Sequence, residues 1–381
     1  MEFLSYEYLK FAWWLLIGVL WIGFAITEGF DMGAAMLLPF IGKTDAERRV
    51  VINAVAPHWD GNQVWLILAA GALFAAWPIV YATTFSGMYL ALLILLFTLF
   101  LRPVGFDYRS KLDNPRWRNF WDWALFIPGV VPPLLLGVAM GNLFLGMPFH
   151  FDDFLRSYYE GGFFGLLHPF ALVAGLLGVA MFMMQGASYL MIRTEGVVHD
   201  RAKTALKFSS LAVIVLFAID GLWLWMGMDG FKVVSGLDPA GPSNPTLKQV
   251  VIESGAWMQN YALYPIIWIG PILGFAGAAL AWLMGAAGKA SLAFLGSSLS
   301  LVGVILTAGF TLFPFVMPSS TNPNHSLTMW DATSSALTLN VMFWSAMFFV
   351  PIILAYTFWC YRVMWGKVTV EFVEENKHSV Y

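Results

Sequence analysis

The sequence predicts an all-α integral membrane protein of about nine transmembrane helices, and three observations carry that prediction. Of 381 residues, 59% are hydrophobic and only 11% charged, with a mean hydropathy of +0.72, whereas soluble domains carry about 25% charged residues. Apolar stretches long enough to cross a bilayer as helices, about 20 residues each, recur along the chain. Lys and Arg are dense in alternate loops and sparse in the others, which is the positive-inside pattern. The net charge of -3 says little by itself. The single cysteine, Cys360, excludes an internal disulfide framework and any cysteine-built metal or iron–sulfur site. There is no Walker motif, dinucleotide fingerprint, H-E-x-x-H or clear internal repeat. The whole chain, 1–381, reads as one polytopic membrane domain.

The spans are justified in order. The first, 11–40, follows "MEFLSYEYLKFAWW", which has two glutamates, no basic leader and no A-x-A site, so a retained helix is expected rather than a removed signal peptide. The second, 51–77, contains "APHWDGNQVWLILAAGALFAAWP", polar in its first third and then almost wholly apolar. The third, 79–101, runs into the basic loop "RPVGFDYRSKLDNPRWRN", expected beside anionic headgroups. In 120–146 and 162–191, "GVVPPLLLG" and "LHPF" mark kinks and close packing. The sixth, 205–228, carries Asp220 without an obvious partner, which suggests a subunit contact or a solvated notch. Gly227 to Gly255, rich in Gly, Pro and Ser, is an outer connection. After 259–285 and 290–317 comes a second outer loop, whose Asp331 or Thr333 is expected to cap the last span, 332–361.

Charge fixes the orientation. With nine spans, 16 Lys and Arg fall on one side and only Lys10, Arg156, Lys232 and Lys248 on the other. If 51–77 did not cross, the split would weaken to 14 against 6. The expectation is therefore an N-terminus outside and a C-terminus in the cytoplasm.

Ionisable groups within spans carry the functional signal, because a charge at the bilayer centre costs about 2.5 to 3.5 kcal/mol even on the lenient scale. Glu28 and Asp31, three apart, share a helix face. With Asp60 beside His58, and Asp107 opening the basic loop, four acids converge on the inner side. They read as a proton or cation entry route, or as ordinary inter-helix contacts partnering Arg102 or Arg109. Heme ligation by this chain is not expected. Only His58 and His168 border spans, and they lie near opposite surfaces. The 19 Met and the 18 Trp and 33 Phe read first as filler and interfacial belts.

The blocks "TEGFDMGAAML", "APHWDGNQVWLILAAGALFAAWP", "FLRPVGFDYRSK", "TAGFTLFPFVMPSS" and "SLTMWDATSSALTLNVM" resemble subunit II of the bacterial cytochrome bd quinol oxidases, from about Tyr6 to the closing "HSVY". One departure is that Glu28 stands where an aspartate is expected in the first block. The resemblance implies two four-helix bundles plus one extra helix in the bacterial inner membrane. It also implies a heterodimer with subunit I, which carries two b hemes, heme d and the quinol-oxidising loop, and in some cases a small single-helix subunit. Quinol and lipid would be the other partners, with no nucleic acid. A structural ubiquinone on subunit II is a further implication. So is a polar channel to heme d, mapping here onto Glu28, Asp31, Asp60 and Asp107, with His58 and Arg102 in support. The chain alone would not be catalytic. The alternatives are a purely structural partner and a proton-coupled transporter, whose acids would lie at the midplane of matching halves.

Overall fold

A computed structural model describes residues 4–376 and 380–381. Lys377, counted in the charge bias, and His378 lie outside the described residues. Helix α1 (Tyr6–Ile41) starts at Ser5, whose hydroxyl accepts from the Tyr8 N–H, and ends before Gly42. Helix α2 (Asp45–Val55) is set by a reciprocal capping box between Thr44 and Glu47. Between Val55 and Trp59 the chain turns, so the polar start of the second predicted span belongs to separate helices, α2 and α3 (Trp59–Ala76). Pro78 then opens α4 (Pro78–Gly87), followed by α5 (Tyr89–Leu99) and α6 (Leu101–Tyr108). Helix α7 (Pro115–Leu145) pairs an Asn114 cap with Pro at its first position.

The second half contains α8 (Pro169–Arg193), α9 (Gly196–Gly227), the short α10 (Gln259–Leu263), α11 (Ile269–Ala286), α12 (Ala290–Leu312), α13 (Ala336–Val363) and α14 (Val370–Glu375). Among the described residues, eight helical segments are long and apolar enough to cross a membrane by length and composition. Three two-stranded antiparallel hairpins cover one end of the molecule: β1 (Phe149–Phe151) with β2 (Ser157–Tyr159), β3 (Asp229–Ser235) with β4 (Gln249–Ser254), and β5 (Phe315–Met317) with β6 (Leu327–Thr328). They fill the connections after α7, α9 and α12. This is the outer end in the orientation expected from charge.

Two four-helix groups result, α1, α3, α4–α5 and α7 in one and α8, α9, α11 and α12 in the other, with α13 extra. They meet where α1 crosses α8. There a Cβ on Gly33 would fall 2.0 Å from the Phe182 carbonyl oxygen, so only glycine permits the approach. Helix α13 buries only Leu339 and Asn340 among its residues. Its cap corrects the sequence reading: Ser335, not Asp331 or Thr333, accepts from the Thr338 N–H. The helix begins later than expected. Asp331 is instead held by the Thr328 N–H and Lys248, and Thr333 by Tyr6 and Ser243.

Candidate functional site

The four acids separate into a buried pair and an exposed pair. Glu28 and Asp31 on α1 are 0% and 1% exposed, deep among α3, α6 and α8. The Glu28 carboxylate receives the guanidinium of Arg102, itself 1% exposed, in a direct ion pair. One turn along, Asp31 Oδ2 accepts from Asn62 Nδ2 at 2.7 Å. Asn62 Oδ1 accepts in turn from the Tyr361 hydroxyl at 2.7 Å. His58 lies flat on the Tyr361 ring, with centroids 4.1 Å apart and planes 10° off parallel. A continuous polar chain therefore runs from α1 through α3 to α13.

Asp60, in the first turn of α3, and Asp107, on α6, are exposed on this chain. They come together at Tyr381, which is within electrostatic reach of both carboxylates. Burial pushes the Tyr381 phenol up, and the charges of Asp107 and Asp60 add to that. Its backbone is fixed by Asn53 at 3.0 and 2.9 Å and by Arg49 at 2.9 Å. Aromatic side chains lie between the two pairs: Trp59 stacks on Phe106 at 5.0 Å and carries the Arg102 guanidinium 5.4 Å from its ring centroid.

Arg102 thus partners one of the acids. Arg109 does not, because it is committed to Asp122 at 2.5 Å and Asp45 at 2.9 Å. Asp122, 0% exposed, also takes Arg48 at 2.7 Å, so the basic loop is folded onto acids of its own. Sequence reasoning passed over Asn62 and Tyr361. Asn62 stands inside the stretch quoted above, two residues past Asp60, and its polarity in an apolar run was the available signal. Tyr361 gave none, being one of 13 tyrosines at the end of an aromatic-rich span. Asp220 is 9% exposed, and neither carboxylate oxygen has a hydrogen-bond partner among the described residues.

The family model for cytochrome bd terminal oxidase subunit II matches residues 9–364. The chain belongs to that family. Subunit II of Escherichia coli K12 cytochrome bd-I ubiquinol oxidase is 56% identical over 378 residues, covering 99% of this chain and all of that one. A probable cytochrome oxidase subunit 2 of Haemophilus influenzae is 50% identical over the same length, with 99% and 100% covered. The Bacillus subtilis cytochrome bd ubiquinol oxidase subunit 2 is 31% identical over 358 residues, with 94% and 96% covered. A chain in the structure of bd oxidase from Geobacillus thermodenitrificans shares the fold, with a TM-score of 0.66 at 13% identity, covering 94% of this chain and 99% of that one. This subunit II is accordingly part of a membrane-bound oxidoreductase complex with a subunit I partner, and hemes belong to that complex.

Among the described residues, the two histidines that border spans are not placed to hold one heme between them. His58 is packed flat on Tyr361, and the exposed His168 ring accepts the Phe170 N–H. The two are a membrane apart. His168 caps the start of α8, while Arg193, at its far end, is within electrostatic reach of His58; 25 helical residues separate those ends by roughly 37 Å. Two cavities of about 10 Å³ each lie between helices, neither lined by histidine and neither able to admit a macrocycle.

Proposed function

We propose that this chain serves a quinol-oxidising, oxygen-reducing complex as the partner of a heme-bearing subunit I, and that its inner-end acids lead protons from the cytoplasm toward the heme site. The relatives' names supply the quinol, and the poor fit of the histidines supports assigning both b hemes and heme d to subunit I. The 16-to-4 charge bias supports nine spans with the N-terminus outside. In this reading α3 crosses as the ninth span, its 18 residues reaching about 27 Å, close to the hydrocarbon thickness. The bare faces of α13 leave room for lipid or a small single-helix subunit.

One observation carries the proton role. Asp31 is fully buried, yet a single side chain, Asn62, joins it to the helix whose exposed first turn bears Asp60. Asp107 and Asp60 at the surface, and Asp31 within, form a route inward along α3. Oxygen reduction at a buried heme consumes protons. Drawing them from the cytoplasm while quinol releases its own outside stores about 2.3 kcal/mol per charge across 100 mV. Glu28 has a different standing. Closed on Arg102, it supports the inter-helix contact reading, and its part in the route is to keep the Arg102 charge beside the path.

Asp31→Asn and Asp60→Asn keep shape and hydrogen bonding but remove the exchangeable proton. The expected result is an assembled complex with normal heme spectra and oxygen consumption reduced at least tenfold, with Asp60→Glu retaining more activity than Asp60→Asn. Full turnover in both asparagine variants and in their combination would end the proton reading and leave a purely structural subunit.

A further inference from the structure

The polar chain of Asp31, Asn62 and Tyr361 has a direction, and that direction is set at its far end. An asparagine side chain offers a donor at one end and an acceptor at the other, exchanged by a half-turn of the amide. A carboxylate can only accept, whereas a protonated carboxyl donates once. Asn62 now turns its Nδ2 to Asp31 and its Oδ1 to Tyr361. What holds it so is the Tyr361 hydroxyl, which donates to Oδ1 at 2.7 Å. The weak second contact of Nδ2, 3.5 Å from the Thr27 carbonyl oxygen, adds little.

We propose that Tyr361 is a positioning residue for Asp31: by orienting the Asn62 amide it selects the ionised carboxylate, and the amide reverses when Asp31 takes up a proton. The inference rests on the reading of Asp31 as a proton carrier. In the uptake step a proton from the aqueous side forms an O–H bond at Asp31 Oδ2. The new hydroxyl donates to Asn62 Oδ1, and Asn62 Nδ2 then donates to the Tyr361 oxygen. Release of the proton restores the first arrangement. No bond breaks other than the O–H that carries the proton, and both arrangements keep the two hydrogen bonds to the amide. The extra helix α13, otherwise almost bare, is thereby coupled to the state of a buried acid on α1.

The other charged and titratable groups around Asp31 do not replace this control. On its own helix Glu28 is closed on Arg102 of α6. From α8, Tyr189 is within electrostatic reach of Asp31, and its hydroxyl has no hydrogen-bond partner among the described residues. Arg193, further along α8, acts on Tyr189 and on His58. His58, at the start of α3, meets the Tyr361 ring by its face and not by a hydrogen bond.

The test uses the assembled oxidase. Tyr361→Phe keeps the ring against His58 and Phe30 and removes only the hydroxyl. Asn62 is then free to present its oxygen, which favours protonated Asp31. The expected result is a limb of the pH–turnover profile displaced toward higher pH by about one unit. In parallel, the infrared absorption of a protonated carboxyl, identified by its loss in Asp31→Asn, should persist to higher pH in Tyr361→Phe. In an Asn62→Leu background the same change should produce no further displacement, because the hydroxyl acts through the amide. A hydroxyl that acts on Asp31 directly and not through the amide would displace both backgrounds alike, and that result overturns the proposal. So does a Tyr361→Phe complex whose profile and infrared titration superimpose on the parent while Asp31→Asn remains impaired. If instead Asp31→Asn turns over fully, the proton reading falls and the proposal falls with it as a statement about uptake.

Discussion

Two sites at opposite ends of the molecule complete their buried charges differently. At the hairpin-covered end, Lys10 is 0% exposed and donates to the carbonyl oxygens of Gly241 at 2.8 Å and Trp330 at 2.6 Å. Lys248 reaches the Pro245 carbonyl oxygen at 2.7 Å and the Asp331 carboxylate at 2.8 Å, and Asp331 also accepts the Thr328 N–H. These ions clasp loops to helix ends, and backbone groups complete their shells. At the other end, Arg102 pairs with Glu28 alone. Its Nε and Nη2, together with Glu28 Oε2, Asp31 Oδ1 and His58 Nε2, have no hydrogen-bond partner among the described residues. Burial of charge is costly unless hydrogen bonds complete it. The Lys10, Lys248 and Asp331 clasp meets that condition more closely than the Glu28, Arg102 and Asp31 site, which is consistent with the proposal that the first anchors loops and the second lets a buried group change state.

The largest effect should come from cutting the sparser network. Arg102→Met leaves the Glu28 carboxylate buried without its cation, a change that costs about 3 to 5 kcal/mol in comparable buried pairs. We expect loss of assembled complex, measured as heme content per membrane protein. Adding Glu28→Gln should recover most of the yield, because no lone charge then remains. If the single change leaves yield intact, water or the partner subunit must already share the work of Glu28, and the contrast between the ends weakens.

A smaller effect is expected at the hairpin-covered end. Lys248→Met strips Asp331 of its cation but leaves it the Thr328 N–H. The cost should be about 2 kcal/mol, seen as a lower Tm of the complex. Oxygen turnover per assembled complex should be unchanged. A changed turnover would mean that the outer clasp is not only a clasp.

The same contrast explains what was legible in the sequence. Long apolar runs give helices whatever their neighbours, so the membrane fold and the approximate spans were readable from composition and period. Helix breaks were not. The turn before Trp59 and the step from Ala76 to Pro78 depend on how α2 and α4 pack, and only Pro78 announced itself. Acids stand out in an apolar background, which is why Glu28, Asp31, Asp60 and Asp107 could be named. Their partners could not be assigned, since Arg102 is 74 residues from Glu28 and Tyr361 is 299 from Asn62. Arg109 looked as eligible as Arg102 in sequence. Asp122, hidden inside a predicted span, had already claimed it.

The smallest effect concerns pH at the hairpin end. His325 Nδ1 accepts the Phe151 N–H at 3.0 Å, a bond that only the unprotonated nitrogen can make, and Nε2 lies 3.2 Å from Asn322 Nδ2. Partial burial, followed by the neighbouring His150 and Lys248, holds the imidazole below its usual 6.5. The folded chain therefore binds fewer protons than the unfolded one as pH drops below 6.5, so stability falls with falling pH in that window and is fully present above it. Protonation would also set an N–H against the Phe151 N–H and loosen the pairing of β1 with the segment before β6. The Tm of the complex should decline as pH falls below 6.5, and His325→Gln, which cannot titrate, should flatten that slope while leaving the turnover profile in place. A slope unchanged by His325→Gln would move the acid sensitivity away from the outer loops and toward the acids at the other end, and that outcome would sharpen the division between the two.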